Sequence, residues 1–185
     1  PRRFCYQPRV RAMLLKDTPL VVVKLGSGIL TDARNRLATP RIKQLVGQIA
    51  RARKAGREVV LVSSGAVAAG MEALGCEIRP TRLAELQACA AVGQSRLMAA
   101  YQELFSQAGL AVGQVLLTHD DLQHHERHLN ARNTIMALLD RGIVPIINEN
   151  DAVSFTELTV GDNDQLSALV AALLPADLLV LLTTA

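Results

Sequence analysis

The sequence predicts an α/β protein, an open and mostly parallel sheet covered by helices on both faces. Short β-branched apolar runs alternate with segments of helical periodicity from Leu20 onward, and such alternation implies right-handed crossovers between parallel strands. Hydrophobic residues make up 50% of the chain but aromatics only 3%, with no Trp, so the core rests on Ala, Val, Leu and Ile, which suit stacked helices and buried strands. A length of 185 residues allows a sizeable core, as one domain or as part of a larger one.

The first strand, Leu20-Val21-Val22-Val23-Lys24-Leu25, breaks into a tight loop at Gly26-Ser27-Gly28. Thr39 then caps a helix with Pro40 at its first position, Ile42, Leu45, Val46 and Ile49 follow at helical spacing, and Gly56 ends it. Val59-Val60-Leu61-Val62 is the second strand, and Ser63-Ser64-Gly65 turns it into the small-residue helix that runs from Ala66 to Gly70. From Thr81, another candidate cap, a helical pattern continues to about Ala108. Leu97, Tyr101, Leu104 and Phe105 mark its apolar face, and Gly93 allows a bend or a close contact.

Ala111 to Leu117 reads as the third strand, Asn130 to Arg141 as a helix, and Ile143-Val144-Pro145-Ile146-Ile147 as the fourth strand. Its proline fits only near a strand end. Val153 to Val160 alternates as a short hairpin or flap. Leu166 to Leu174 is a helix and Leu178 to Leu182 a fifth strand of the parallel type. No repeat, low-complexity stretch or interdomain linker interrupts the pattern, and no covering helix follows the last strand before Ala185, which suggests a chain truncated within a domain.

The net charge of +3 is uneven: of the 20 Lys and Arg, Arg2, Arg3, Arg9 and Arg11 fall in the first twelve residues, leaving 16 against 17 acidic residues elsewhere. A nucleic-acid surface is therefore not indicated. Residues 1–19 read as a basic, flexible leader or an expression remnant, with Met13 a candidate start, because the segment lacks the apolar centre of a secretory signal. No apolar run reaches the roughly 18 residues of a membrane span, which predicts a soluble protein without a membrane partner. Cys5, Cys76 and Cys89 form no CxxC pair. They fit a reducing cytoplasm, the latter two as small buried fillers.

Chemistry gathers at the ends of the apolar runs. Lys24 is costly to bury without an anionic partner. The glycines that follow free backbone amides to approach a phosphate, with Lys24 as a point charge beside them. The alternative is a snorkelling lysine next to an ordinary turn. At the second strand-to-helix junction, Ser63-Ser64-Gly65-Ala66 is either an anion site on a helix dipole or a simple cap. Two acidic bursts, Asn148-Glu149-Asn150-Asp151 and Gly161-Asp162-Asn163-Asp164, also fall at element ends. Together they suggest recognition of an amino group or orientation of a cation, against turn chemistry as the simpler alternative. His119, His124, His125 and His128 are spaced so that two could share a helical face, as zinc requires, but the polar segment reads better as a solvated helix start. Arg127 and Arg132 read as surface or interface residues.

Taken in order, Lys24-Leu25-Gly26-Ser27-Gly28, Val62 to Gly70, Ala91-Val92-Gly93-Gln94, Leu129-Asn130-Ala131-Arg132, Ile147 to Asp151 and Val160 to Asp164 resemble the glutamate 5-kinases, within the amino-acid kinase family. The resemblance runs from about Leu20 to Thr183. It implies an open αβα sandwich of the carbamate kinase-like type, with residues 20–185 as the substrate-binding half and most of the nucleotide half absent.

The implied activity is transfer of the γ-phosphoryl of ATP to the side-chain carboxylate of L-glutamate, the first step of proline synthesis, with Mg²⁺ on the nucleotide. By the same resemblance Lys24 stabilises the transferring phosphoryl and Asp164 orients the lysine. Ser64, Gly65, Asn148, Asp151, Asp162 and Asn163 hold glutamate. Gly26, Ser27, Gly28 and Thr183 meet the nucleotide phosphates. Proline is implied as a feedback inhibitor, the protein as a homo-oligomer, and glutamyl phosphate reductase as its pathway partner.

Two departures stand out. Thr183-Thr184-Ala185 stands where the family usually has Thr-Asp and a Gly-Leu-Tyr stretch, so this chain alone is expected to be inactive, and Gly28 replaces a more usual Ser or Ala and could loosen the loop. An amino-acid kinase for another carboxylate, or a non-catalytic glutamate- or proline-sensing module, are the alternatives.

Overall fold

The computed structural model describes residues 17–32, 34, 36–154 and 162–184. Their order is β1 (Leu20–Leu25), α1 (Ser27–Leu30), α2 (Thr39–Lys54), β2 (Glu58–Ser63), α3 (Ala66–Leu74), α4 (Leu83–Ser106), β3 (Val112–Leu117), α5 (His119–Gln123), α6 (His125–Asp140), β4 (Val144–Glu149), α7 (Asp162–Leu173) and β5 (Leu178–Leu182). The strands form one sheet in the order β3-β4-β2-β1-β5, and each pairing between these strands is parallel. This is the open, parallel α/β layout that the alternation predicts.

Both faces are covered because each strand sends successive side chains to opposite sides. Val59, Leu61, Val144 and Ile146 pack with α2 and α4 through Ile42, Val46, Leu97 and Phe105. Val22, Val60, Val62 and Ile147 pack on the other side with α6 and α7 through Ile135, Leu139, Leu166 and Val170. Two apolar layers on one sheet make an αβα sandwich.

Several boundaries differ from the sequence reading. Gly26-Ser27-Gly28 does not remain a loop: Gly26 precedes a single helical turn, α1, whose Leu30 is fully buried. An apolar anchor at Leu30 closes that turn, which glycine punctuation alone hides. Arg82, not Thr81, stands at the N-cap of α4, and Ala38, not Thr39, at that of α2; neither makes a side-chain capping bond. The fourth strand runs on through Asn148 and Glu149. Pro145 is tolerated because β4 meets β2 only at Ile146 and Ile147, so the missing N–H precedes that ladder. Asp162, Asn163 and Asp164 of the second acidic burst open α7.

Gly56 ends α2 with a φ of 85°, as a C-terminal glycine should. Cys89 is buried, whereas Cys76 is only half-buried. Of the segment read as a leader, residues 1–16 lie outside the described residues, while Thr18 is buried and the Pro19 carbonyl accepts from the Glu58 N–H at 2.6 Å. Most of the hairpin proposed for Val153 to Val160 lies outside them too. No helix among the described residues is long and apolar enough to cross a membrane.

Candidate active site

β4, β2 and β1 are neighbours, so their carboxyl ends bring Lys24, Ser63 and Asn148 side by side along one edge of the sheet. The pleat then decides what each meets. Lys24 shares the face of Val22 and points toward α7. Ser63 and Asn148 share the face of Leu61 and Ile146 and point toward α4. Glu149 shares the face of Ile147 and points toward α5.

On the α7 face, Lys24 Nζ lies 2.6 Å from Asp164 Oδ1, with the lysine side chain 7% exposed and the aspartate 49%. The sequence asked for an anionic partner to this lysine, and Asp164 supplies it. The Gly26 N–H donates to the Leu182 carbonyl at 2.9 Å, tying α1 to β5. A Cβ at Gly26 would stand 3.2 Å from Lys24 Nζ, so glycine leaves the space over the ammonium open. A Cβ at Gly28 would meet Thr184 Oγ1 at 2.7 Å; the room left by the missing side chain is occupied by Thr184 rather than lost to a looser turn.

On the α4 face, Ser63 is fully buried and shares a 2.8 Å hydrogen bond with Tyr101, also fully buried. Burial pushes the Tyr101 phenol well above its usual range, and the bond to Ser63 pulls only weakly the other way. Ser63 Oγ also donates to the Ser64 carbonyl at 3.0 Å. Gly65 follows with a φ of 98°, a left-handed conformation that glycine adopts without strain, and α3 starts from it.

Asn163, one residue into α7, closes the arrangement. Its Nδ2 donates to Ser64 Oγ at 2.9 Å, to Asn148 Oδ1 at 3.2 Å and to the Ser63 carbonyl at 3.3 Å. Asn148 Nδ2 donates to Gln94 Oε1 at 2.7 Å, and the Glu149 N–H donates to Asn148 Oδ1 at 2.9 Å. Among the described residues, Asn163 Oδ1 is buried without a partner.

Lys24, Ser64, Asn148, Asn163 and Asp164 face one cleft of about 450 Å³. Gly26, Ser27, Gly28, Gly65, Asp151 and Thr183 line it too. The side chain of Asp162 lies outside the described residues. Arg79, Glu149 and Thr184 line the cleft as well, and sequence reasoning gave none of them a role of its own. Arg79 carried no motif, and Thr184 stood out only as a departure from the family's pattern. Glu149 stood in plain view between two candidates.

Glu149 is 4% exposed, accepts from Ser154 Oγ at 3.2 Å, and has His119 Nδ1 at 3.6 Å. Two other histidines turn elsewhere: His124 Nδ1 donates to the Asp120 carbonyl and His128 Nδ1 to the Leu122 carbonyl. Among the described residues no group of three or more His, Cys, Asp or Glu could hold a metal ion. Arg127 is largely exposed and pairs with Asp121 at 3.2 Å.

The site thus joins a buried ammonium beside open backbone to a rigid set of amides and hydroxyls. Such a pair can hold an anion at one end and a small polar molecule at the other.

Residues 19–185 match the family model described as the amino acid kinase family. The chain is 52% identical over 174 residues to the glutamate 5-kinase of Geobacter sulfurreducens, covering 94% of this chain and 47% of that protein. It is 55% identical over 163 residues to the glutamate 5-kinase of Methylococcus capsulatus, covering 88% and 44%. With the protein of the same name from Escherichia coli O1:K1 it shares 53% identity over 169 residues, covering 91% and 46%. The chain spans about half the length of the curated relatives it matches.

Proposed function

Since the chain belongs to the amino acid kinase family, we propose that it forms the substrate-binding part of an enzyme that phosphorylates the side-chain carboxylate of L-glutamate with ATP. The observation that carries this is the Asn163 amide, whose nitrogen is held by Ser64 and Asn148 while its buried oxygen has no partner among the described residues. A buried acceptor without a donor costs about 1–3 kcal/mol, and an ammonium group would remove that cost. Asp151 lines the same cleft and would add a charge-assisted bond.

Glutamate would lie with its α-amino and α-carboxyl groups among Ser64, Gly65, Asn148, Asp151, Asp162 and Asn163. Its side-chain carboxylate would point along the cleft to Lys24. Bringing that carboxylate to a phosphoryl group sets two anions against each other, so the protein must mainly position them and offset charge. Lys24 would supply the offset as negative charge builds on the transferring oxygens, and Asp164 would hold its ammonium in place. Transfer forms a bond from the carboxylate oxygen to phosphorus and breaks the bond to the ADP oxygen, giving glutamyl 5-phosphate.

The open backbone over Lys24, where a Cβ at Gly26 would intrude, fits a phosphate cradled by Gly26, Ser27 and Gly28, with Thr183 nearby. Mg²⁺ would arrive with the nucleotide and lower the charge of its phosphates. On this reading the acyl phosphate passes to glutamyl phosphate reductase in proline synthesis, proline acts as feedback inhibitor, and the enzyme is a cytoplasmic homo-oligomer.

Hydroxylamine trapping of acyl phosphate, with ATP and L-glutamate, tests the proposal on this chain and on a form extended to the relatives' length. Hydroxamate from the extended form supports it. Glutamate binding without hydroxamate in either form would replace it with a sensing module.

A further inference from the structure

The motif Ala91-Val92-Gly93-Gln94 has no part in the chemistry above, yet it lies inside the fold at the middle of α4. A Cβ at Gly93 would fall 1.8 Å from the Ala66 carbonyl oxygen and 2.4 Å from the Gly70 nitrogen, so α4 rests directly on the backbone of α3 there. That contact fixes the height of the next residue, Gln94, over the sheet. Gln94 is 9% exposed, and its Oε1 accepts from Asn148 Nδ2 at 2.7 Å.

The two ends of a primary amide are nearly equal in size and opposite in polarity, so its orientation is set by its partners. With Nδ2 engaged by Gln94 and Oδ1 by the Glu149 N–H, Asn148 also turns Oδ1 toward Asn163 Nδ2. Asn163 is thereby oriented in turn: its nitrogen faces Asn148 and Ser64, and its oxygen has no partner among the described residues. Reversing Asn148 would set its NH₂ against both donors and favour reversal of Asn163 as well.

We propose that Gln94 is a positioning residue that, through Asn148, makes Asn163 present an acceptor rather than a donor, and so selects a substrate bearing an α-ammonium group. This rests on the reading that Asn163 meets the amino group of glutamate. Gln94 itself touches no substrate.

The test uses the protein extended to the relatives' length, with L-glutamate and with glutarate, which lacks only the α-amino group. Replacing a paired polar group in a binding site shifts discrimination by about tenfold or more. Q94M is therefore expected to raise the KM for glutamate about tenfold and to narrow the glutamate-over-glutarate preference in kcat/KM by a similar factor. Under saturation kcat, and the KM for ATP, should stay within about twofold. The double variant Q94M/N148A should be no worse than N148A, because both act on one chain of bonds.

An unchanged preference, or effects that add in the double variant, would overturn the inference. If Q94M does not fold, Q94S carries the same expectations, since its hydroxyl cannot reach Asn148 and water can enter the adjoining cavity of about 210 Å³. A wild-type protein that does not phosphorylate glutamate sinks the functional reading and this inference together. An active wild type with an unaltered Q94M sinks only the inference.

Discussion

Lys24 and Asp164 meet at 2.6 Å across the joint between β1 and α7, one side chain buried and the other half in water. The asymmetry predicts unequal costs. Asp164→Asn strands a buried ammonium, which we expect to cost about 1–2 kcal/mol, below the usual figure for a buried pair because Asp164 is half-exposed. Lys24→Met keeps the aliphatic stem and leaves the carboxylate to water, so stability should change by less than about 1 kcal/mol. Urea unfolding of both checks this. On the proposed mechanism each should also lower kcat by about a hundredfold or more in the extended protein.

Glycines that look alike in the sequence should respond to alanine in opposite senses. Gly93→Ala drives a Cβ into the backbone of α3 and should cost more than about 3 kcal/mol or prevent folding. Gly65→Ala must hold a φ of 98° and should cost about 1–2 kcal/mol. Gly47 lies inside α2 with nothing closer to a built Cβ than an Arg51 nitrogen at 3.9 Å, so Gly47→Ala should stabilise by about 0.5–1 kcal/mol. Thermal melts of the three order them.

Tyr101→Phe removes a buried hydroxyl from Ser63, which keeps its bond to the Ser64 carbonyl, so the expected loss is about 1–2 kcal/mol. Because the folded state raises the phenol above its ordinary value of 10.0, its contribution is fully present below that pH and is lost as pH climbs beyond it. Unfolding measured across the alkaline range should show this slope in the wild type and a weaker one in Tyr101→Phe. Equal slopes would remove Tyr101 as its source.

The strands were legible because fully buried parallel strands read as unbroken β-branched runs, and the two faces of the sandwich followed from the alternation. The cleft was legible where its residues end those runs, as at Lys24, Ser64 and Asn148. Gln94 and Tyr101 were not, because their roles depend on α4 crossing above β2 and β4, a relation between distant segments that local spacing does not encode. The turn at α1 was hidden for a similar reason: Gly26, Ser27 and Gly28 favour a loop locally, and Leu30 in the core overrides them. Arg79 reaches the cleft from the segment after α3, where no periodicity marks it.

Thr118 and Asp121 form a reciprocal cap at the start of α5. The Thr118 N–H and hydroxyl donate to Asp121 Oδ2 at 2.8 and 2.7 Å, and the Asp121 N–H donates back to Thr118 Oγ1 at 3.1 Å. Burial raises the Asp121 pKa, but the bonds from Thr118 and Arg127 outweigh it and hold the carboxyl below its ordinary 3.8. A depressed pKa stabilises the fold above the ordinary value and ceases to do so as pH falls through the folded-state value. Asp121→Asn should therefore cost about 1 kcal/mol near neutral pH, with the gap to wild type closing in strong acid. Urea unfolding at neutral and acidic pH checks the sign, and a gap that widens in acid would refute it. Because α5 begins at His119, which faces Glu149 on the wall of the cleft, loosening this cap should also raise the KM for glutamate in the extended protein.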